Sequence, residues 1–325
     1  MSLVYRQFDA TALDMQYNAR ATVPHVESIL KQYADESRRA RDTLPCALNL
    51  PYGDHPDETL DVFPAARDSP APGCPAPGCP APGCPAPVFI YIHGGYWRAL
   101  GKDDSSSMAP AFTRAGAVVV AVNYSLAPAV TLDRIVDQVR RAVAWVQRNI
   151  AAHGGDPGRL HVGGSSAGGH LCGMLLACGW QRELGLPGDV IRGALLLSGL
   201  YDLTPLVHTH INQWMRMTPA DAARNSPDRL VPDHGCPIVV SYGEHETDEF
   251  KRQSNDYLQA WQARGFPGRY VPAPGLNHFD IVLDLGRPGS PLAQAMFEQM
   301  GLSRTGQPDT GRPEPDRPSS SRTAS

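Results

Sequence analysis

Arg159-Leu160-His161-Val162-Gly163-Gly164-Ser165-Ser166-Ala167-Gly168-Gly169-His170 runs from a short apolar stretch into a glycine-flanked serine, and a helical pattern follows. Gly164-Ser165-Ser166-Ala167-Gly168 fits G-x-S-x-G, in which the central serine sits on a sharp strand-to-helix turn. A turn this tight leaves no room for Cβ atoms on either side, and glycine accepts such geometry cheaply. It lifts the Ser166 hydroxyl out of the sheet to a helix N-terminus, where backbone N–H groups and the helix dipole favour developing negative charge. The motif is short and made of common residues. Nucleophilic chemistry at Ser166 therefore requires a base, an acid and oxyanion donors elsewhere in the chain.

Outward from this turn, strand-like and helix-like patterns alternate. Candidate strands cover 47–52, 59–64, 88–93, 117–123, 159–164, 193–198, 237–242 and 269–272. Several are near-continuous apolar runs, such as Phe89-Ile90-Tyr91-Ile92, as expected of strands buried on both faces. Leu132, Ile135, Val136, Val139, Val143, Val146 and Ile150 recur at helical spacing, and the helix stops near His153-Gly154-Gly155-Asp156-Pro157. Further helices are expected after Ser166, at 249–264 and at 291–300. The alternation predicts an α/β fold: a doubly wound, mostly parallel, eight-stranded sheet in one domain spanning 1–302. Two segments fall outside it. Pro-Ala-Pro-Gly-Cys repeats in tandem within 70–87, which is expected to make an extended excursion away from the sheet. The tail, 303–325, is rich in Pro, Ser, Arg and Asp and is expected to be disordered.

Ligands of such sheets bind beyond the carboxyl ends of the strands, and each polar motif sits at such an end. His93-Gly94-Gly95-Tyr96-Trp97 follows the third strand. Its glycines let the N–H groups of Gly94 and Gly95 approach an oxyanion, with Ala167 as a further donor. Gly243-Glu244-His245-Glu246-Thr247-Asp248-Glu249 follows the seventh strand, where the acid belongs. Glu244, Glu246, Asp248 and Glu249 are all in range; spacing favours Glu246, with Asp248 second. Gly275-Leu276-Asn277-His278-Phe279-Asp280 follows the last strand and offers His278 as the base. Tyr96 and Trp97 would set aromatic surface beside the serine for an aryl substrate. His170 reads as structural. His208 and His210 lack the partners a zinc site needs, so no metal or other cofactor is expected.

The net charge of -4 argues against nucleic acid or an anionic membrane as a partner. There is no signal-like N-terminus and no membrane-length apolar run, so a cytoplasmic protein is expected. The seven cysteines are odd in number, and three lie in the tandem repeat, which speaks against a disulfide framework.

With these residues in hand, the chain resembles the arylformamidase (kynurenine formamidase) branch of the α/β-hydrolases, near the esterase and hormone-sensitive-lipase-like group. The resemblance runs from Tyr17 to Met300. It rests on Tyr17-Asn18-Ala19-Arg20, His93-Gly94-Gly95-Tyr96-Trp97, Asn123-Tyr124-Ser125-Leu126-Ala127-Pro128, Ser165-Ser166-Ala167-Gly168-Gly169-His170, Glu249-Phe250-Lys251-Arg252-Gln253-Ser254 and Asn277-His278-Phe279-Asp280. It implies Ser166 as nucleophile, His278 as base, Glu246 at the acid position and Gly94 and Gly95 in the oxyanion loop. The implied activity is cleavage of N-formylkynurenine to kynurenine and formate. The expected partner is a small-molecule substrate, with a homodimer as a further expectation. A broad-specificity carboxylesterase is the alternative. A non-catalytic binding protein of the same fold would have lost the serine, the histidine or the glycine pair, and all are present here.

Overall fold

The computed structural model describes residues 2–66 and 85–302. Eight strands form one sheet; they are labelled in chain order β1 (Ala47–Pro51), β2 (Thr59–Phe63), β3 (Ala86–Ile92), β4 (Val118–Val122), β5 (Gly155–Ser165), β6 (Ile191–Leu197), β7 (Ile238–Ser241) and β8 (Gly268–Tyr270). Their spatial order is β8-β7-β6-β5-β3-β4-β2-β1. β2 runs antiparallel to both β1 and β4, and all other pairings are parallel. All eight predicted strands are present, with ends shifted by a few residues. A short antiparallel hairpin, Leu3–Tyr5 with Phe8–Asp9, was not foreseen.

The apolar runs of β3 and β4 feed two cores at once. Val88, Ile90 and Ile92 face one side of the sheet, Phe89 and Tyr91 the other, and Val118 to Val122 alternate likewise. Burial on both faces removes the polar-apolar alternation of a half-exposed strand. Helices Leu132–Asn149, Ala167–Leu176 and Asp248–Ala263 contribute to the first core; Val26–Thr43, Ala109–Arg114, Asp280–Leu285 and Pro291–Met300 contribute to the second.

Sequence reading missed the 18-residue helix Val26–Thr43. Its inward stripe is short (Tyr33, Ser37 and Ala40 are its buried residues), and charge dominates the rest. The excursion predicted for 70–87 ends earlier than expected. Ala86 and Pro87 already lie in β3, and Ala86 pairs with Gly155. The register shifts between Ala86 and Val88, an irregularity at which proline's missing N–H is tolerated. The rest of the repeat, including Cys74 and Cys79, and the predicted disordered tail lie outside the described residues. Among the described residues, Cys46, Cys172, Cys178 and Cys236 form no disulfide. Cys178 is exposed and Cys172 is buried. Among the described residues no helix is long and apolar enough to cross a membrane.

Candidate active site

Ser166 follows β5 with φ 57° and ψ −118°, a conformation that L-residues rarely adopt. Its N–H donates to the Leu197 carbonyl at the end of β6 at 2.8 Å, which ties the turn to the neighbouring strand. The flanking glycines are required by sterics. A Cβ on Gly164 would stand 2.6 Å from the carbonyl carbon of Gly168, and one on Gly168 would stand 2.1 Å from the carbonyl oxygen of Ile92 in β3. Helix Ala167–Leu176 thus starts directly against the backbone of β3 and β5.

The loop after β3 passes beside this turn. A Cβ on Gly94 would lie 2.8 Å from the Ser165 carbonyl oxygen and 3.4 Å from Ser166 Cβ. Gly95 has φ +95°, which favours glycine. The Ala167 N–H opens its helix and has no acceptor within it. His93 braces the loop. Its Nδ1 donates to the Gly94 carbonyl at 2.9 Å, and its ring stacks on Tyr124 with centroids 4.0 Å apart. The Tyr124 hydroxyl donates to the His93 carbonyl at 2.9 Å. Burial pushes the His93 imidazole down to about 4, so it is neutral at physiological pH. Sequence reading assigned no role to His93 or Tyr124.

Of the four carboxylates in range, Glu246 meets the histidine. Its Oε2 lies 2.7 Å from His278 Nδ1, and both side chains are buried. Its Oε1 accepts from the Ser198 hydroxyl and the Gly243 N–H, each at 2.6 Å. A carboxylate on Nδ1–H leaves the Nε2 lone pair of a neutral imidazole free to take a proton. Asp248, the second choice, is exposed at the start of helix Asp248–Ala263. Glu249 turns to Tyr17 and Arg252, and Glu244 accepts from the Gly275 N–H.

Ser166, Gly94, Gly95 and His278 line one cavity of about 310 Å³. Tyr96 lines it as predicted, and its hydroxyl donates to the Tyr17 carbonyl at 2.5 Å. Trp97 is a correction: it is fully buried, absent from the cavity wall and edge-on to His170 with centroids 5.0 Å apart. Both residues sit in the turn with positive φ, Tyr96 at 49° and Trp97 at 55°, so no strand-like alternation could have told the cavity-facing ring from the core one. Trp214, from the short helix Asn212–Met215, supplies the indole of the wall instead, and its Nε1 donates to the Tyr96 carbonyl at 3.2 Å. His170, read from the sequence as structural, is buried away from the cavity wall and bonds the Asn225 carbonyl at 2.8 Å. His210 bonds Asp14 at 2.6 Å, and among the described residues no group of His, Cys, Asp and Glu could hold a metal ion.

The opposite wall was not foreseen. Asn18, Ala19 and Arg20 face the cavity, with Leu30 and Tyr33 from helix Val26–Thr43. Buried side chains hold this segment. The Tyr17 hydroxyl donates to Glu249 at 2.8 Å and accepts from Gln253 at 2.7 Å, and Arg252 closes on Glu249 at 2.7 Å. Tyr33 donates to the Phe279 carbonyl, next to His278, at 2.6 Å. The signal was present: Tyr17-Asn18-Ala19-Arg20 and Glu249-Phe250-Lys251-Arg252-Gln253-Ser254 both stand out in the sequence, but nothing in it says that they touch.

A strained serine between β5 and a helix, a glycine loop beside it and, on the same cavity, an imidazole held from behind by a buried carboxylate define an α/β-hydrolase. A family model described as alpha/beta hydrolase fold matches residues 89–280. The chain is 34% identical over 305 residues to a kynurenine formamidase of Salmo salar, covering 92% of this chain and 96% of that one. It is 30% identical over 279 residues to the esterase LipQ of Mycobacterium tuberculosis, covering 80% and 61% of the two chains. A solved structure of a candidate thioesterase from Silicibacter sp. TM1040 matches with TM-score 0.72 and 28% identity, covering 87% of this chain and 97% of that one. The chain belongs to the α/β-hydrolase fold family, on its kynurenine formamidase branch, and is a hydrolase.

Proposed function

We propose that the protein cleaves an aryl formamide, N-formylkynurenine, to kynurenine and formate through a formyl-enzyme. The supporting observation is His278, held by buried Glu246, in the cavity that Ser166 lines, in a chain that matches a kynurenine formamidase over 92% of its length. In this reading Ser166 Oγ attacks the formyl carbonyl as His278 Nε2 takes its proton. The N–H groups of Gly94, Gly95 and Ala167 hold the oxyanion. The C–N bond breaks, His278 passes the proton to the departing arylamine nitrogen, and Ser166 carries the formyl group. Water then attacks the formyl ester, its proton goes to His278, and collapse releases formate as Ser166 Oγ recovers a proton. Glu246 holds the imidazole in the required tautomer. Each step uses groups of this chain and water. Cytoplasmic placement, a homodimer and a small-molecule substrate without nucleic acid or membrane partner belong to the same reading.

A carboxylesterase is the second reading, favoured by the esterase LipQ among the relatives. The same groups cleave an ester, so kcat/KM for N-formyl-L-kynurenine against phenyl acetate decides between the two. A preference of about 100-fold or more for the formamide supports formamidase, and the reverse order assigns an esterase. Ser166→Ala is expected to lower kcat by about 10⁴-fold or more with an unchanged Tm. Turnover retained in a pure sample of that variant would overturn the serine mechanism.

A further inference from the structure

The cavity holds a guanidinium that the proposed chemistry does not use. Arg98, just past the glycine loop, lines the cavity, and its guanidinium carbon lies 4.7 Å from the ring centroid of Trp214. The other cationic or imidazole side chains on the wall are engaged: Arg20 pairs with Glu27, His210 is held by Asp14 and His278 by Glu246. Arg98 has no carboxylate partner among the described residues. Stacking on an indole fixes a guanidinium in place without neutralising it, and leaves its forked N–H donors available to a planar anion. Asp104 lines the same cavity with no ion pair among the described residues. The cavity wall therefore presents a guanidinium and a carboxylate, neither in an ion pair among the described residues, which suits the zwitterionic end of an α-amino acid better than a neutral ester. Trp214 is itself fixed by its bond to the Tyr96 carbonyl, so the subsite is tied to the loop that carries Gly94 and Gly95.

We propose that Arg98, braced on Trp214, binds the carboxylate of an aromatic amino-acid substrate and sets the preference for a carboxylate-bearing formamide over a neutral one. The proposal rests on the formamidase reading and names the residue that makes it selective. A bidentate guanidinium–carboxylate contact is charge-assisted and is among the stronger polar contacts available at a partly solvated site.

The test compares N-formyl-L-kynurenine with N-formylkynuramine, which carries the same aryl formamide without the carboxylate. The wild-type enzyme is expected to favour the former by about tenfold or more in kcat/KM, chiefly through KM. Arg98→Gln should erase that ratio, and Arg98→Lys should keep part of it. A ratio in Arg98→Gln within twofold of wild type, or a parallel fall on both substrates, overturns the proposal. Phenyl acetate and 3-(2-acetoxyphenyl)propanoate make a second pair. If the wild type ignores both formamides, the formamidase reading fails but this pair still decides the subsite. A preference for the carboxylate ester that is lost in Arg98→Gln upholds it, and no preference overturns it.

Discussion

The cavity wall that carries Ser166 and the wall formed by Asn18, Ala19 and Arg20 are held in place differently. The first is fixed by backbone packing. Gly164 and Gly168 let a strand, a helix and the end of β3 meet with no side chain between them, and Leu197 ties the turn to β6. The second is fixed by side chains contributed from far along the chain: Tyr17 to Glu249 and Gln253, and Tyr33 to Phe279. Backbone packing tolerates no added atom. A side-chain network loses its bonds one at a time.

The largest effect expected tests the pair behind the first wall. Glu246→Gln should lower kcat by about 10³- to 10⁴-fold by removing the anion that holds the His278 tautomer, whereas Asp248→Asn should stay within about twofold. Steady-state kinetics on the two variants checks this; a crippled Asp248 variant with an active Glu246 variant would move the acid. Gly168→Ala comes next. Its Cβ would stand 2.1 Å from a backbone oxygen that cannot swing away, so denaturant unfolding should show a loss of about 3 kcal/mol or more.

Acid should also attack the first wall before the second. His93 at the start of the glycine loop, His170 inside the helix after Ser166 and His161 in β5 are all pushed down to about 4 by burial. Their unfolded-state value is near 6.5, so between pH 6.5 and 4 the unfolded chain binds more protons than the folded one. Stability is therefore present above about pH 6.5 and is lost as the pH falls towards 4, by at most about 3 kcal/mol for each histidine. Unfolding free energies measured from pH 7 to 4.5 should fall steadily, and His170→Asn should flatten the slope. The smallest effect belongs to the second wall. Tyr17→Phe removes one hydroxyl from a network whose other members keep partners, since Gln253 still bonds the Asp202 carbonyl and Glu249 still meets Arg252. It should cost about 1–2 kcal/mol and raise KM several-fold more than it lowers kcat. An unaltered KM would detach Tyr17 from the shape of the cavity.

The difference between the walls also sets what could be read in advance. The strands were legible because sheet faces buried on both sides need uninterrupted apolar runs, as in Val118-Val119-Val120-Ala121-Val122. Helix Leu132–Asn149 announced itself through a wide apolar stripe, whereas Val26–Thr43 did not, because it buries little beyond Tyr33, Ser37 and Ala40. Glu246 could be favoured by spacing, but Asp248 lies two residues away. Only the approach of the His278 loop, with Ser198 and Gly243 on the other carboxylate oxygen, separates them.

By itself the sequence determined the sheet, the serine turn and the order in which Ser166, Glu246 and His278 follow their strands. Those features rest on local sterics and on apolar periodicity, both of which act over a few residues. The tertiary structure alone decided that Trp97 is core while Trp214 faces the cavity, and that Tyr17 meets Glu249. It also decided that Arg98 stacks on Trp214 beside the glycine loop, with no carboxylate partner among the described residues. Those outcomes depend on which distant segments pack together, and pairings separated by more than 200 residues leave no periodic trace in the chain.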